Sequence, residues 1–203
     1  MLKTLAFLLA LGAPIRADLI ALDPGSNHTN GSVNDANVIG WEFTVNDPIT
    51  VTQLGLFDVG GDGFADSHPV GLWTDTGSLL ASTTIPAGTA ANLVDGFRYE
   101  SIASTMLDPG TYVIGAFYPR RSNDEILLFV SGLTTASPIT YLENRDATLA
   151  VTSLSFPDGT FRNQEQGYFG PNFQFTTPEP SALWLCGAGL IGLASIRRRW
   201  FWR

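Results

Sequence analysis

The sequence predicts an all-β protein, an antiparallel β-sandwich of jelly-roll or immunoglobulin-like kind. Three observations predict it. Apolar and polar residues alternate with period two, turn signals recur every ~8–12 residues, and the middle of the chain has no stretch with the apolar spacing of an amphipathic helix. Trp41, Phe43 and Val45 alternate with Glu42 and Thr44, which makes a strand with one apolar face. Asn46-Asp47-Pro48 breaks it. Ile49 and Val51 share a face in the next strand, but Leu54 and Leu56 fall on the opposite one, so a bulge near Gln53 is expected. Residues 70–73 form a short strand closed by Asp75-Thr76-Gly77, and residues 79–85 run up to Pro86-Ala87-Gly88. Residues 97–102 follow, then Leu107, and Asp108-Pro109-Gly110 turns into residues 111–118. Residues 126–130, 139–142, 149–156 and 168–176 complete nine or ten short strands, which suits a sandwich.

Both ends differ from this middle. Lys3, the apolar run LAFLLALGA at residues 5–13 and Ala17 read as a signal peptide over residues 1–17, too short to span a ~30 Å bilayer core. Residues 18–37 are expected to be a polar N-terminal loop, mobile over the turn-rich residues 23–37, and residues 38–176 the sandwich. Residues 177–203 form a tail with three parts. Pro178-Glu179-Pro180 stays extended because proline cannot enter a helix interior. Residues 182–196 carry no charge and predict a single transmembrane helix, about 22 Å long at 1.5 Å per residue, anchored by Trp184 and the arginines. Arg197, Arg198 and Arg199 stop it with the C-terminus on the cytoplasmic side.

Charge narrows the function. Residues 18–180 hold five arginines, no lysine and all 19 acids, a formal charge of −14. Such a surface repels phosphate, so a nucleic-acid partner is not expected. The only cysteine, Cys186, lies in the apolar tail, so the domain has neither a disulfide nor thiolate chemistry.

Pro178-Glu179-Pro180-Ser181, an apolar run and terminal arginines resemble the PEP-CTERM sorting signal of bacteria. That resemblance implies an exosortase-type membrane protease as partner, a transient membrane anchor, and a final place at the cell surface or in extracellular polymeric matrix. It also implies a bacterial source, which sets aside the eukaryotic glycosylation sequons Asn27-His28-Thr29 and Asn30-Gly31-Ser32. Residues 41–118, with WEFTVNDPITVTQLGLFD, HPVGLWTDTGSLLAS and LDPGTYVIGAFY, resemble an uncharacterised β-sandwich domain of secreted bacterial proteins. This second resemblance brings no catalytic residues with it.

The most site-like stretch is FDVGGDGFADSHPVGLW. Asp58, Asp62 and Asp66 recur every fourth residue among Gly60, Gly61 and Gly63. Carboxylates on a Gly-rich loop can wrap Ca²⁺, which takes six to eight oxygens. The same residue types also serve an ordinary strand-to-strand turn, and both readings stand. His68 with Asp66 could hold a transition metal. Gly-x-Ser-x-Gly, His-Glu-x-x-His and a nucleotide loop are all missing, and a Ser-His-Asp triad would have to use His68 because His28 lies in the polar loop. Trp41, Trp73, Phe97, Tyr99, Tyr112, Tyr118 and Tyr168 could form a sugar-stacking platform or simply fill the core. The resulting expectation is a non-enzymatic exported envelope or matrix protein with a structural or adhesive role and calcium as its possible ligand. An exopolysaccharide-binding module and a glycan hydrolase using two carboxylates are the alternatives.

Overall fold

Trp41, Phe43 and Val45 are fully buried, as their alternation with the only partly buried Glu42 and Thr44 requires. The computed structural model describes residues 18–148, 150–160 and 167–178. Its strands are β1 (Leu19–Ile20), β2 (Leu22–Asp23), β3 (Thr29–Ser32), β4 (Asn37–Val45), β5 (Ile49–Phe57), β6 (His68–Thr74), β7 (Leu79–Ile85) and β8 (Asn92–Val94). They continue as β9 (Phe97–Leu107), β10 (Gly110–Tyr118), β11 (Glu125–Leu128), β12 (Thr134–Thr135), β13 (Ile139–Asp146), β14 (Gly159–Thr160), β15 (Tyr168–Phe169) and β16 (Pro171–Thr176). Among the described residues there is no α-helix, only a 3-10 turn at Val59–Gly61, and no helix is long and apolar enough to cross a membrane. The expected signal peptide, the transmembrane helix and Arg197, Arg198 and Arg199 lie outside the described residues.

The two larger antiparallel sheets have the orders β1-β16-β5-β9-β8 and β14-β13-β4-β10-β6-β7, and β15-β11-β3 and β12-β2 form two small ones. The inner faces of the larger two share one core. The Trp41 ring, from the six-stranded sheet, stacks on Phe173 of the five-stranded sheet at 5.9 Å, and Phe43 meets Phe173 at 4.9 Å. The Trp41 indole N–H also donates to the Pro171 carbonyl at 2.8 Å, so one side chain supplies both apolar area and a bond across the sandwich. Burying each such ring contributes ~2 kcal/mol.

The expected bulge is present. The β5–β9 register slips between Val51 and Gln53, and Ile49, Val51, Leu54 and Leu56 all end up fully buried. Adding one residue turns the second apolar pair back to the core.

Two expectations fail. Residues 18–37 are not a free loop: β1 pairs with β16, β2 with β12 and β3 with β11, and Ala21 and Leu22 are in the core. Buried Asn172 acts as a stretch of backbone here, its Nδ2 donating to the Leu22 carbonyl at 2.7 Å and its Oδ1 accepting the Leu22 N–H at 3.2 Å. Residues 150–156 are not a strand. They lie across the outer face of the six-stranded sheet, where Val151 and Leu154 pack on Val38, Phe117 and Ala147, and Phe156 meets the Trp73 ring edge-on at 6.2 Å. Alternating apolar residues suit this draped segment as well as a strand.

In the five-stranded sheet the two ends of the described domain are neighbours, with Leu19 opposite Phe175 and Ile20 opposite Gln174. Phe173→Ala removes the ring that joins the sheets and should cost ~3–5 kcal/mol in urea unfolding of the mature domain. A loss below about 1 kcal/mol would contradict the packing described.

Candidate functional site

The Gly-rich loop after β5 is built around an ion pair. Asp58 and Arg98 are both buried, and Arg98 Nε donates to Asp58 Oδ2 at 2.6 Å. The Gly63 N–H donates to the same carboxylate at 3.0 Å. Arg98 uses its other donors on backbone carbonyls: Thr89 at 3.1 Å, Ala91 at 3.0 Å and Gly61 at 3.0 Å. One guanidinium therefore ties the loop to the segment before β8. The glycines answer to backbone geometry. Gly63 has φ 99°, and a Cβ there would lie 2.7 Å from the Gly88 carbonyl carbon.

Asp66 and His68 belong to a second cluster. The Asp124 carboxylate accepts the Ala65 N–H at 2.7 Å, the Asp66 N–H at 2.9 Å and His68 Nε2 at 2.8 Å. His68 is fully buried, and its Nδ1 lies 3.0 Å from the Phe117 carbonyl. Both ring nitrogens are engaged within the fold, Nε2 by the Asp124 carboxylate and Nδ1 by the Phe117 carbonyl. Ser122 Oγ donates to Asp66 Oδ2 at 3.0 Å. Burial alone would raise the Asp124 pKa. The Ala65 N–H, the His68 ring and the Asp66 N–H outweigh it and hold the carboxyl below its ordinary value. Tyr118, packed on His68 at 4.8 Å, is pushed the other way by burial and by the Asp124 charge.

The structure does not unite Asp58, Asp62 and Asp66. Asp58 is committed to Arg98, Asp62 is exposed, and Asp66 is tied to Ser122. Among the described residues no three His, Cys, Asp or Glu side chains form a metal-binding group. His68 has no ring nitrogen left for a metal or for activating a serine. A polar depression of about 270 Å³ between the clusters is lined by Asp58, Asp62, Asn123, Asp124 and Glu125, so Asp58 and Asp62 share its wall while Asp66 does not. The aromatic residues weighed as a sugar platform are core instead: Trp41, Trp73, Phe97, Tyr99 and Tyr118 are buried, and Tyr112 and Tyr168 are half-buried.

A third group lies on the outer face of the six-stranded sheet. Arg145 donates to Glu42 from Nε at 3.0 Å and from Nη2 at 2.7 Å, and Glu143 stands 3.7 Å from Arg145. Burial and a hydrogen bond with Glu42 raise the Glu143 carboxyl, against the pull of Arg145. Sequence reasoning missed Asp124 and Arg98. Asp58 and Arg98 are 40 residues apart and His68 and Asp124 are 56 apart, and no local pattern links such pairs.

The sorting-motif residue Pro178 is described and exposed, while Glu179 and Pro180 lie outside the described residues. Pro178 stands on the rim of an apolar depression of about 670 Å³, together with Leu19, Asp47, Pro48, Ser137 and Pro138.

Two outcomes follow from the buried pairs. Arg98→Met leaves Asp58 buried and unpaired, and should cost ~3–5 kcal/mol in urea unfolding. A loss under about 1 kcal/mol would mean the pair is not what holds the loop. Because the folded Asp124 carboxyl is depressed below its ordinary value of 3.8, its contribution is present above that pH and is lost as pH falls through the depressed value. Asp124→Asn should therefore flatten the acid limb of the stability–pH curve, and an unchanged limb would contradict the assignment.

Residues 176–199 match the PEP-CTERM protein-sorting motif. No curated protein and no solved structure matches the chain. The motif begins on the last residue of β16 and makes the chain an exported, membrane-anchored precursor handled by an exosortase.

Proposed function

We propose that the mature domain is a structural or adhesive component of the cell envelope or extracellular matrix, not a catalyst. The observation that carries this reading is the use made of its buried charge. Asp58, Arg98, His68 and Asp124 are all paired within the fold, in geometries that tie loops to strands. Asp58 and Asp124 line the polar depression beside the loop, but both carboxylates are already bonded within the fold. Glu42 and Glu143, one pair of carboxylates that share a site, are in hydrogen-bond contact and both neighbour Arg145. A glycoside hydrolase keeps its pair about 5 Å apart or more, so this contact favours a fixed surface group. The net charge of residues 18–180 suits a soluble domain in a hydrated polymer and gives calcium a general attraction.

Two experiments test the reading. In cells that make the exosortase, Pro178→Ala combined with Glu179→Ala should leave the chain at full length in the membrane fraction. Normal conversion of that variant would sink the processing assignment. After conversion the domain should fractionate with envelope or matrix. A domain recovered only from the free medium would overturn the structural role.

A further inference from the structure

We propose that the end of the domain from which the sorting motif emerges is a docking surface for the membrane enzyme that processes it. This rests on the processing assignment above and extends recognition beyond Pro178-Glu179-Pro180 to the folded domain.

The argument is one of distance and of cost. The last paired residue of β16 is Thr176, opposite Thr50. Pro178 follows two residues later, so their Cα atoms are at most ~7 Å apart. A peptidase that takes an extended peptide grips several residues along its backbone. It can do so here only by touching the domain or by peeling β16 away. Peeling is disfavoured, because Phe175 is fully buried one residue before Thr176, and Pro171 is held by the Trp41 indole. The domain therefore holds Pro178, the first residue of the motif, close against its own surface.

That surface is defined. Leu19, Asp47, Pro48, Ser137 and Pro138 surround Pro178. Leu19 is 42% exposed although it is a leucine in a paired strand, and Asp47, Pro48 and Ser137 are exposed. Three separate chain segments meet there: the start of β1, the β4–β5 turn and the turn before β13. The chain runs another 25 residues beyond Pro178, among them the uncharged stretch 182–196, and these carry the motif toward the membrane where its enzyme resides. An apolar patch with one carboxylate, set beside the substrate peptide, fits a lip of that enzyme bearing apolar side chains and a cation.

The test is a pulse-chase of the full-length precursor in cells that make the enzyme, reading conversion to the tail-less form. Asp47→Arg with Ser137→Arg should slow conversion about fivefold or more, the usual effect of disrupting interface side chains. Asp62→Arg, in the loop at the other end of β5, should leave the rate unchanged. A six-residue Gly-Ser spacer between Thr176 and Thr177 should also slow conversion, because it separates the motif from the surface. Melting of the double variant's domain, unchanged from wild type, guards against a folding defect. Unchanged or faster conversion in the double variant overturns the proposal. Faster conversion is what a bilayer against this end would give, since arginine is drawn to anionic headgroups. A spacer that speeds conversion also overturns it, because the domain would then be an obstacle. Full conversion of Glu179→Ala would instead mean that the processing assignment itself is wrong.

Discussion

The contact on which the fold depends is the one between Trp41 and the last strand. Its indole N–H bonds the Pro171 carbonyl while its ring stacks on Phe173, and these two contacts join the sheets at their common core. β16 is not an added edge. It lies between β1 and β5, and Phe173 and Phe175 are fully buried. The core cannot close until the end of the domain is in place. Partners such as Trp41 and Pro171, 130 residues apart, make the topology non-local, which favours slow, cooperative folding.

This placement links folding to sorting. The sorting match begins at Thr176, the last residue of the strand that completes the core. A chain whose β16 is unpaired offers the same peptide without the surface around it, whereas the folded domain offers both. The buried ion pairs act at the other end of the sandwich, where Arg98 and Asp124 hold the long loops around β6. Buried pairs add little net stability over apolar packing, but losing one partner is costly, so they fix which loop arrangement forms.

Much of this was legible in the sequence where the pattern was local. The change of face between Val51 and Leu54 gave away the bulge, and the run from Leu79 to Ile85 matched β7 to the residue. The segment 18–37 was misread because polar turn-forming residues dominate it after the short apolar run Leu19-Ile20-Ala21-Leu22. Its backbone is held by Asn172, 150 residues later, which no local pattern signals. Residues 150–156 look like a strand by alternation, but they drape over Trp73 and Phe117 instead. The acidic loop suggested calcium through its spacing. Its first carboxylate belongs to an arginine on another strand, and Gly63 is explained by the close approach of Gly88.

The measurement that tests this account most directly is amide hydrogen exchange on the mature domain, comparing β16 with β4 and β10. If the terminal strand is part of the core, amides of residues 173–175 exchange only through global unfolding, as slowly as those of Trp41 and Ile114. Fast exchange in residues 173–175, with β4 and β10 still protected, would show that β16 opens independently. The motif would then hang from a loose end rather than from a fixed surface.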